Sequence, residues 1–374
     1  MRISERLYST EALTKNIGVN MNTQGLKEFI FKLCALPSIS GFESRATEEL
    51  IRLTDGLLNA PTVDGVGNHL FVKKCGKDNA PRVILDAHLD EIGLIVTDVC
   101  ESGFLRVAPM GGIDPSILQA ADVMIYGKET LRGVITSTPP HLRKSDELPA
   151  SDEVTVDTGL SEKRAKELID IGTPIGFAPV YGELLGGKLI GKSFDDKACA
   201  ACILWAVANT PADDLACDVY VLLSAVEETN RLGGVCAATY SVDPDYAMVV
   251  DVNLARVPDT KEFETVELGG GVSLSISAAT DISLTRDVEA ICKSEAIPHC
   301  TIAAPSSTGT NAASLNLVRM GVPVVDVGLP LASMHTYNEV IDMRDVEALT
   351  DLIEKFICSA ELADRYGRRK EAWI

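Results

Sequence analysis

The sequence predicts an α/β sheet covered by helices, with a small barrel-like β domain inserted into it. Three observations carry this. From about residue 190 onward, strand-like apolar runs alternate with helical segments, the pattern of a sheet with helices on its faces. Between about 100 and 185 the chain changes character, to short β-like runs separated by Gly and Pro, as in a small barrel. Strand-like runs at 82–86 and 91–97 precede that stretch, so two parts of one α/β domain flank it. The expected organisation is an N-terminal extension over 1–24, an α/β domain built from 25–98 and 186–374, and an inserted β domain over 99–185.

Each element has a local reason. Residues 1–24 are polar and lack a period. Leu26, Phe29, Ile30 and Leu33 share one stripe, which predicts a helix over 26–36 stopped by Pro37. A second helix is expected over 43–58. Within the inserted stretch, β-like runs occupy 103–107, 122–126 and 133–136, and one charged helix is expected over 161–171. Beyond it, 196–209 reads as a buried helix, and 218–223, 247–250 and 322–325 as buried strands. Pro323 suits the start of its strand better than the middle.

Composition narrows the function classes. The 374 residues are 46% hydrophobic and 24% charged, ordinary for a globular chain and too apolar for a disordered one. The longest apolar run, 198–208, falls short of the ~18 residues of a membrane span. A net charge of −20 repels phosphate backbones and anionic lipids, so neither nucleic acid nor membrane is expected as a partner. The 10 cysteines sit among Ala, Val and Ile as small core residues. With no apolar signal core near the start, this favours a reducing, cytoplasmic location.

The chemistry lies in His, Asp and Glu residues at the ends of apolar runs. They are His88 and Asp90 in DAHLDEIG, Asp195 and Asp196 in GKSFDDKA, Glu227 and Glu228 in LLSAVEE, Asp251 in MVVDVN and His335 in MHTYNE. In open α/β sheets ligands bind beyond the carboxyl ends of strands, so these side chains can converge on one crevice. Two histidines with several carboxylates suit a pair of divalent metals. One acid of the Glu227–Glu228 pair can ligate while its neighbour, pointing elsewhere, serves as general base.

Three other patterns weigh less. Residues 186–193 match the phosphate-loop pattern G-x4-G-K-[ST]. However, Leu189-Ile190 reads as strand, and Asp195 and Asp196 would put negative charge where phosphates need a helix N-terminus. Cys199 and Cys202, spaced i and i+3 in an Ala-rich helix, read as packing residues. The chain lacks the G-x-S-x-G of a serine hydrolase.

In this order the motifs resemble the tetrahedral aminopeptidases, dinuclear metallopeptidases that include glutamyl aminopeptidases, some of which carry an endoglucanase label. The resemblance runs from about 26 to 356. It rests on SGFE at 40–43, AHLDEIGLIV at 87–96, GFLRVAPMGGID at 103–114, Pro-Pro-His at 139–141, GKSFDDK and the acid pair. It implies an α/β/α sandwich of zinc-peptidase type with an inserted β domain that helps join subunits into a hollow twelve-subunit tetrahedron. It implies that Asp195 bridges two metals, His88 and Asp251 completing one site and Glu228 and His335 the other. Glu227 would be the general base, Asp90 would accept from the His88 ring and fix its tautomer, and Asp196 would be supportive rather than a ligand. The implied activity is removal of N-terminal residues from peptides, with zinc, cobalt or manganese as the metal. Another metal-dependent amide hydrolase, a silenced assembly protein and a phosphate-loop NTPase are the rival readings.

Three departures from the family pattern stand out. Thr229, Asn230, Arg231, Leu232 and Gly233 replace Val-Gly-x-Arg-Gly. Asn311 replaces the acid of Gly-Thr-Asp-Ala, and Thr336-Tyr337-Asn338 follow His335 in place of Ser-Pro or Thr-Pro. No expected ligand is lost, so a loaded dinuclear site is expected. Asn311 is expected to weaken recognition of a substrate ammonium or to alter its loop.

Overall fold

The computed structural model describes residues 23–137, 140–142, 154–229 and 233–367. Residues 1–22 of the expected extension, Pro139, and Asn230, Arg231 and Leu232 lie outside the described residues. Helix α1 (Thr23–Cys34) buries Leu26, Phe29, Ile30 and Leu33 as their spacing predicts. The helix expected over 43–58 is shorter: a 3-10 turn, Glu43–Ala46, leads into α2 (Thr47–Thr54). Gly56 adopts φ +77° just beyond it, a left-handed turn that ends the helix. Strands β1 (Thr62–Val63), β2 (His69–Lys73) and β3 (Arg82–His88) follow.

The chain then enters the barrel. Its strands are β4 (Gly93–Val99), β5 (Leu105–Met110), β6 (Asp122–Tyr126), β7 (Thr130–Ile135), β8 (Thr155–Asp157) and, after helix α3 (Glu162–Leu168), β9 (Pro174–Phe177). They close in the order β4-β5-β8-β7-β6-β9 around Leu94, Val107, Val123, Ile125, Val156 and Ile175. Gly133 is required there: a Cβ would lie 2.8 Å from both Ile125 and Val156.

Beyond the barrel come β10 (Gly182–Leu184), β11 (Lys188–Gly191), α4 (Phe194–Asn209), β12 (Asp218–Ser224), α5 (Gly234–Val242) and β13 (Tyr246–Leu254). Next are β14 (Val272–Ser277), α6 (Ile282–Ser294), β15 (His299–Ala304), α7 (Ala312–Leu315) and β16 (Val324–Leu331). The chain closes with β17 (Glu339–Asp342), α8 (Met343–Cys358) and α9 (Ala360–Tyr366). Among the described residues the main sheet has eight strands in the order β1-β2-β12-β3-β13-β16-β14-β15, and β10-β11-β17 form a small second sheet. Strands β12, β3, β13 and β16 run parallel, with Ser224 opposite His88 and Asp251 opposite Gly328. Pro323 stands just before the first residue of β16, where its missing N–H costs no ladder bond.

The strands alternate between two cores, as period-2 geometry requires. Val83, Leu85, Met248 and Val250 pack with α1, α4, α6 and α8 on one face. Ile84, Ala247 and Val249 pack with α5 and α7 on the other. The result is the expected α/β/α sandwich with its inserted barrel. The phosphate-loop pattern dissolves here: Leu189 and Ile190 lie in β11, and Lys192 is buried against Glu91 and the Cys34 carbonyl. Cys199 and Cys202 are buried free thiols within α4. Among the described residues, no helix is long and apolar enough to cross a membrane.

Candidate metal centre

The parallel strands bring their carboxyl ends to one edge of the sheet, and the expected residues gather there. His88 is the last residue of β3. Glu227 and Glu228 follow β12 after a left-handed turn at Val226 (φ +55°). Asp195 and Asp196, joined by a cis peptide bond, open α4 with non-helical backbone angles. His335 follows β16 on a left-handed residue, φ +58°. Asp251 sits differently from the sequence reading: β13 continues to Leu254, so Asp251 lies within the strand and not past its end.

Asp195 lies between the two histidines. Its Oδ1 is 3.0 Å from His88 Nε2 and its Oδ2 is 3.3 Å from His335 Nε2. Glu228 Oε2 is 3.4 Å from the same His335 nitrogen. Donor atoms of His88, Asp195 and Glu228 all fall within 4.8 Å of one another, as do those of His88, Asp196 and Asp251. Asp196, expected to be supportive, therefore stands at ligand distance beside Asp251; its Oδ2 also accepts the His88 backbone N–H at 3.1 Å.

Asp90 accepts from the His88 ring as expected, but through its backbone and not its carboxylate. His88 Nδ1 lies 3.0 Å from the Asp90 backbone carbonyl, whereas the carboxylate is 3.7 Å away. A carbonyl only accepts, so Nδ1 carries the proton and Nε2 is left facing Asp195. The Asp90 side chain instead accepts the backbone N–H groups of Glu227 (3.0 Å) and Glu228 (3.1 Å). The acid pair lies too far along the chain from Asp90 for spacing to reveal this link.

Sequence reasoning missed other supports. Glu43, from the SGFE motif, is buried and accepts the N–H groups of Gly41 (2.9 Å) and Val226 (3.0 Å), which fixes the turn before the acid pair. Ser40 and Thr229 share a 2.7 Å hydroxyl bond across the same turn. The barrel reaches the site through Gly112, whose backbone accepts from the His335 ring. A Cβ on Gly112 would lie 3.1 Å from that ring, a tight contact that would press on it. Asn311 is buried, and its amide donates to Asp86 (3.0 Å) and Ser224 (2.9 Å). Tyr337 packs against Phe177 of the barrel, with 5.6 Å between ring centroids and the rings tilted by 46°.

The electrostatics are those of crowded acids. Burial, then the charge of Asp195, pushes Glu228 well above the usual carboxylate range. Burial and Asp195 do the same to Asp251, and burial and Asp251 do so to Asp196. Burial would also raise Asp195, but the imidazoles of His335 and His88 beside it hold it below the ordinary range. Buried acids that repel one another, with two imidazole nitrogens among them, match the oxygen and nitrogen donors that divalent transition metals take. The residues present fit such ions.

Comparison with known proteins agrees. The family model described as M42 glutamyl aminopeptidase matches residues 67–352. The lysyl aminopeptidase of Pyrococcus furiosus is 29% identical over 328 residues, covering 86% of this chain and 93% of that one. The solved aminopeptidase APDkam598 of Desulfurococcus kamchatkensis superposes with a TM-score of 0.84 at 27% identity, covering 92% of this chain and 97% of that one. The TET1 peptidase of Pyrococcus horikoshii, which can assemble into a tetrahedron or a large octahedral shell, gives 0.78 at 26% identity, covering 89% and 99%.

Proposed function

The chain belongs to the M42 glutamyl aminopeptidase family, a family of peptide hydrolases, and on that premise we propose that it removes N-terminal residues from peptides at a dinuclear metal centre. The observation that carries this reading is the position of Asp195, one oxygen towards each histidine. In the proposed arrangement Asp195, His88 and Asp251 would hold one ion, and Asp195, Glu228 and His335 would hold the other. Zinc suits these borderline ligands, and cobalt or manganese would serve. When bound, such ions supply Lewis-acid activation of water and of the scissile carbonyl.

The protein's own part is orientation and proton transfer. Glu227 is buried, and its backbone N–H is held by the Asp90 carboxylate beside that of Glu228. In this reading it takes a proton from the attacking water and delivers it to the leaving amine. The barrel, whose first strand β4 begins at Gly93 and so moves the start of the insertion ahead of the expected 99, is proposed as the module that joins dimers into a twelve-subunit shell. Such a shell would admit unfolded peptides and exclude folded proteins. All ten cysteines are free thiols, which supports a cytoplasmic location.

The test pairs metal analysis with a panel of free and N-acetylated peptides. Two ions per subunit and cleavage of only the unblocked peptides are expected. Equal cleavage of the acetylated peptides would favour a deacylase or endopeptidase. A particle mass near that of a dimer would rule out the shell.

A further inference from the structure

The proposed centre needs Asp195 and His335 at a fixed separation, although they lie on loops far apart in the chain. One buried carboxylate joins the two loops. Glu339, the first residue of β17, is 2% exposed. Its Oε2 accepts the backbone N–H groups of Phe194 (2.7 Å) and Asp195 (3.2 Å). Its Oε1 accepts the backbone N–H of His335 at 3.2 Å.

The backbone of Glu339 is itself held between the same two arms. Glu339 pairs with Gly191 across the β11–β17 ladder, and β11 leads directly into Ser193, Phe194 and Asp195. On the other side Val340 exchanges two hydrogen bonds with Ala332, at 2.9 and 3.0 Å, at the start of the loop that carries His335. Both arms contain strained backbone: Ser193 and His335 each adopt φ +58° without being glycine. Such conformations cost on the order of 1–3 kcal/mol each and persist where surrounding contacts over-determine them. A carboxylate suits this task because each of its oxygens accepts and neither donates.

We propose that Glu339 is a positioning residue that sets Asp195 and His335 in register for the metal pocket they share with Glu228. This rests on the metal-centre reading above. Glutamine has the same shape but turns an NH2 group towards one set of N–H donors, so it releases one arm. The pocket bounded by Asp195, Glu228 and His335 then weakens most, because two of its donors hang on Glu339, while the pocket at His88 and Asp251 has only the shared Asp195 in common with it.

The experiment compares zinc-stripped wild type and Glu339→Gln by zinc titration against a chromophoric chelator, with thermal melts before and after loading. Wild type is expected to take up two zinc ions. Glu339→Gln should bind one ion within a few fold of wild type and the other ~10–100-fold more weakly, the usual size of an outer-shell effect. Its metal-free Tm should hold while its zinc-induced rise in Tm shrinks. Unchanged affinity for both ions, or a parallel drop in both Tm values with affinities kept, would overturn the proposal alone. Failure of wild type to bind two ions would overturn the metal-centre reading and this proposal with it. Should Glu339→Gln not fold, the same titration is read on Glu339→Asp. That variant keeps both acceptors but is one methylene too short to reach both arms, and the same outcomes decide.

Discussion

Asp90 holds Glu227 by its main chain: Asp90 Oδ1 accepts the Glu227 N–H at 3.0 Å, and Oδ2 accepts the next N–H along, that of Glu228. One side chain thus fixes the backbone of both acids. Asp90→Asn replaces one acceptor with a donor and tilts the acid pair. Displacement of a reacting group by about 1 Å can cost ~10²-fold, and a fall of that size in kcat is expected with much of the metal retained. Steady-state kinetics with metal analysis on the same sample checks it; unchanged kcat would show that the turn is held by other contacts.

Glu227→Gln separates proton transfer from ligation. The amide keeps the volume of the side chain and removes the base, so turnover should fall ~10²–10⁴-fold with metal content near wild type. His88→Ala should behave in the opposite order, losing metal before any other property changes. Should Glu227→Gln remain fully active, the base must be sought elsewhere.

Glu91 gives a prediction for acid stability. It is buried against Lys192 and lies 3.4 Å from Lys197. Burial would raise its carboxyl, but the two lysines hold it at about 2 against the usual 4.5. Its folded pKa lies below its unfolded one, so its contribution is complete above about 4.5 and is lost as pH falls towards 2. Glu91→Gln leaves two buried lysines without their anion, a loss of about 3–5 kcal/mol at neutral pH. The gap between the two denaturation curves should close as pH drops through that window; a gap that stays constant would show that the pair does not titrate in it.

Asn311 predicts the opposite slope. Burial pushes Asp86 up to about 7 from 3.8, and the Asn311 amide is one of its donors. Between those values the unfolded chain gives up its proton first, so this group's contribution to stability falls as pH rises. Asn311→Asp sets a second carboxylate about 3.0 Å from the first. It should cost about 1–3 kcal/mol and more at high pH than at low. Tm measured across that range checks the slope, and superimposable melts at every pH would refute it.

The residues differ in how legible they were. His88 ends an apolar run, and β3 ends at that residue. The helix stripe of Leu26, Phe29, Ile30 and Leu33 is buried as its period requires. Glu43 and Glu339 stood in the motifs as letters without a task, because each acts on backbone N–H groups that any residue would present. Asp251 shows the limit of run length: its strand continues through Val252, Asn253 and Leu254, so an acid inside a strand looks like an acid after one.

Pattern and composition were enough for the α/β sandwich, the inserted barrel and the inventory of metal-competent side chains. Periodicity, turn residues and donor chemistry are local properties, and a chain carries them before it folds. Folding alone decided that Asp90 serves the acid loop through its carboxylate, that Asp196 stands beside Asp251, and that Glu339 spans two arms. Those relations depend on which loops meet across the sheet edge and on the direction of single N–H bonds, and neither is encoded within reach of any one stretch of sequence.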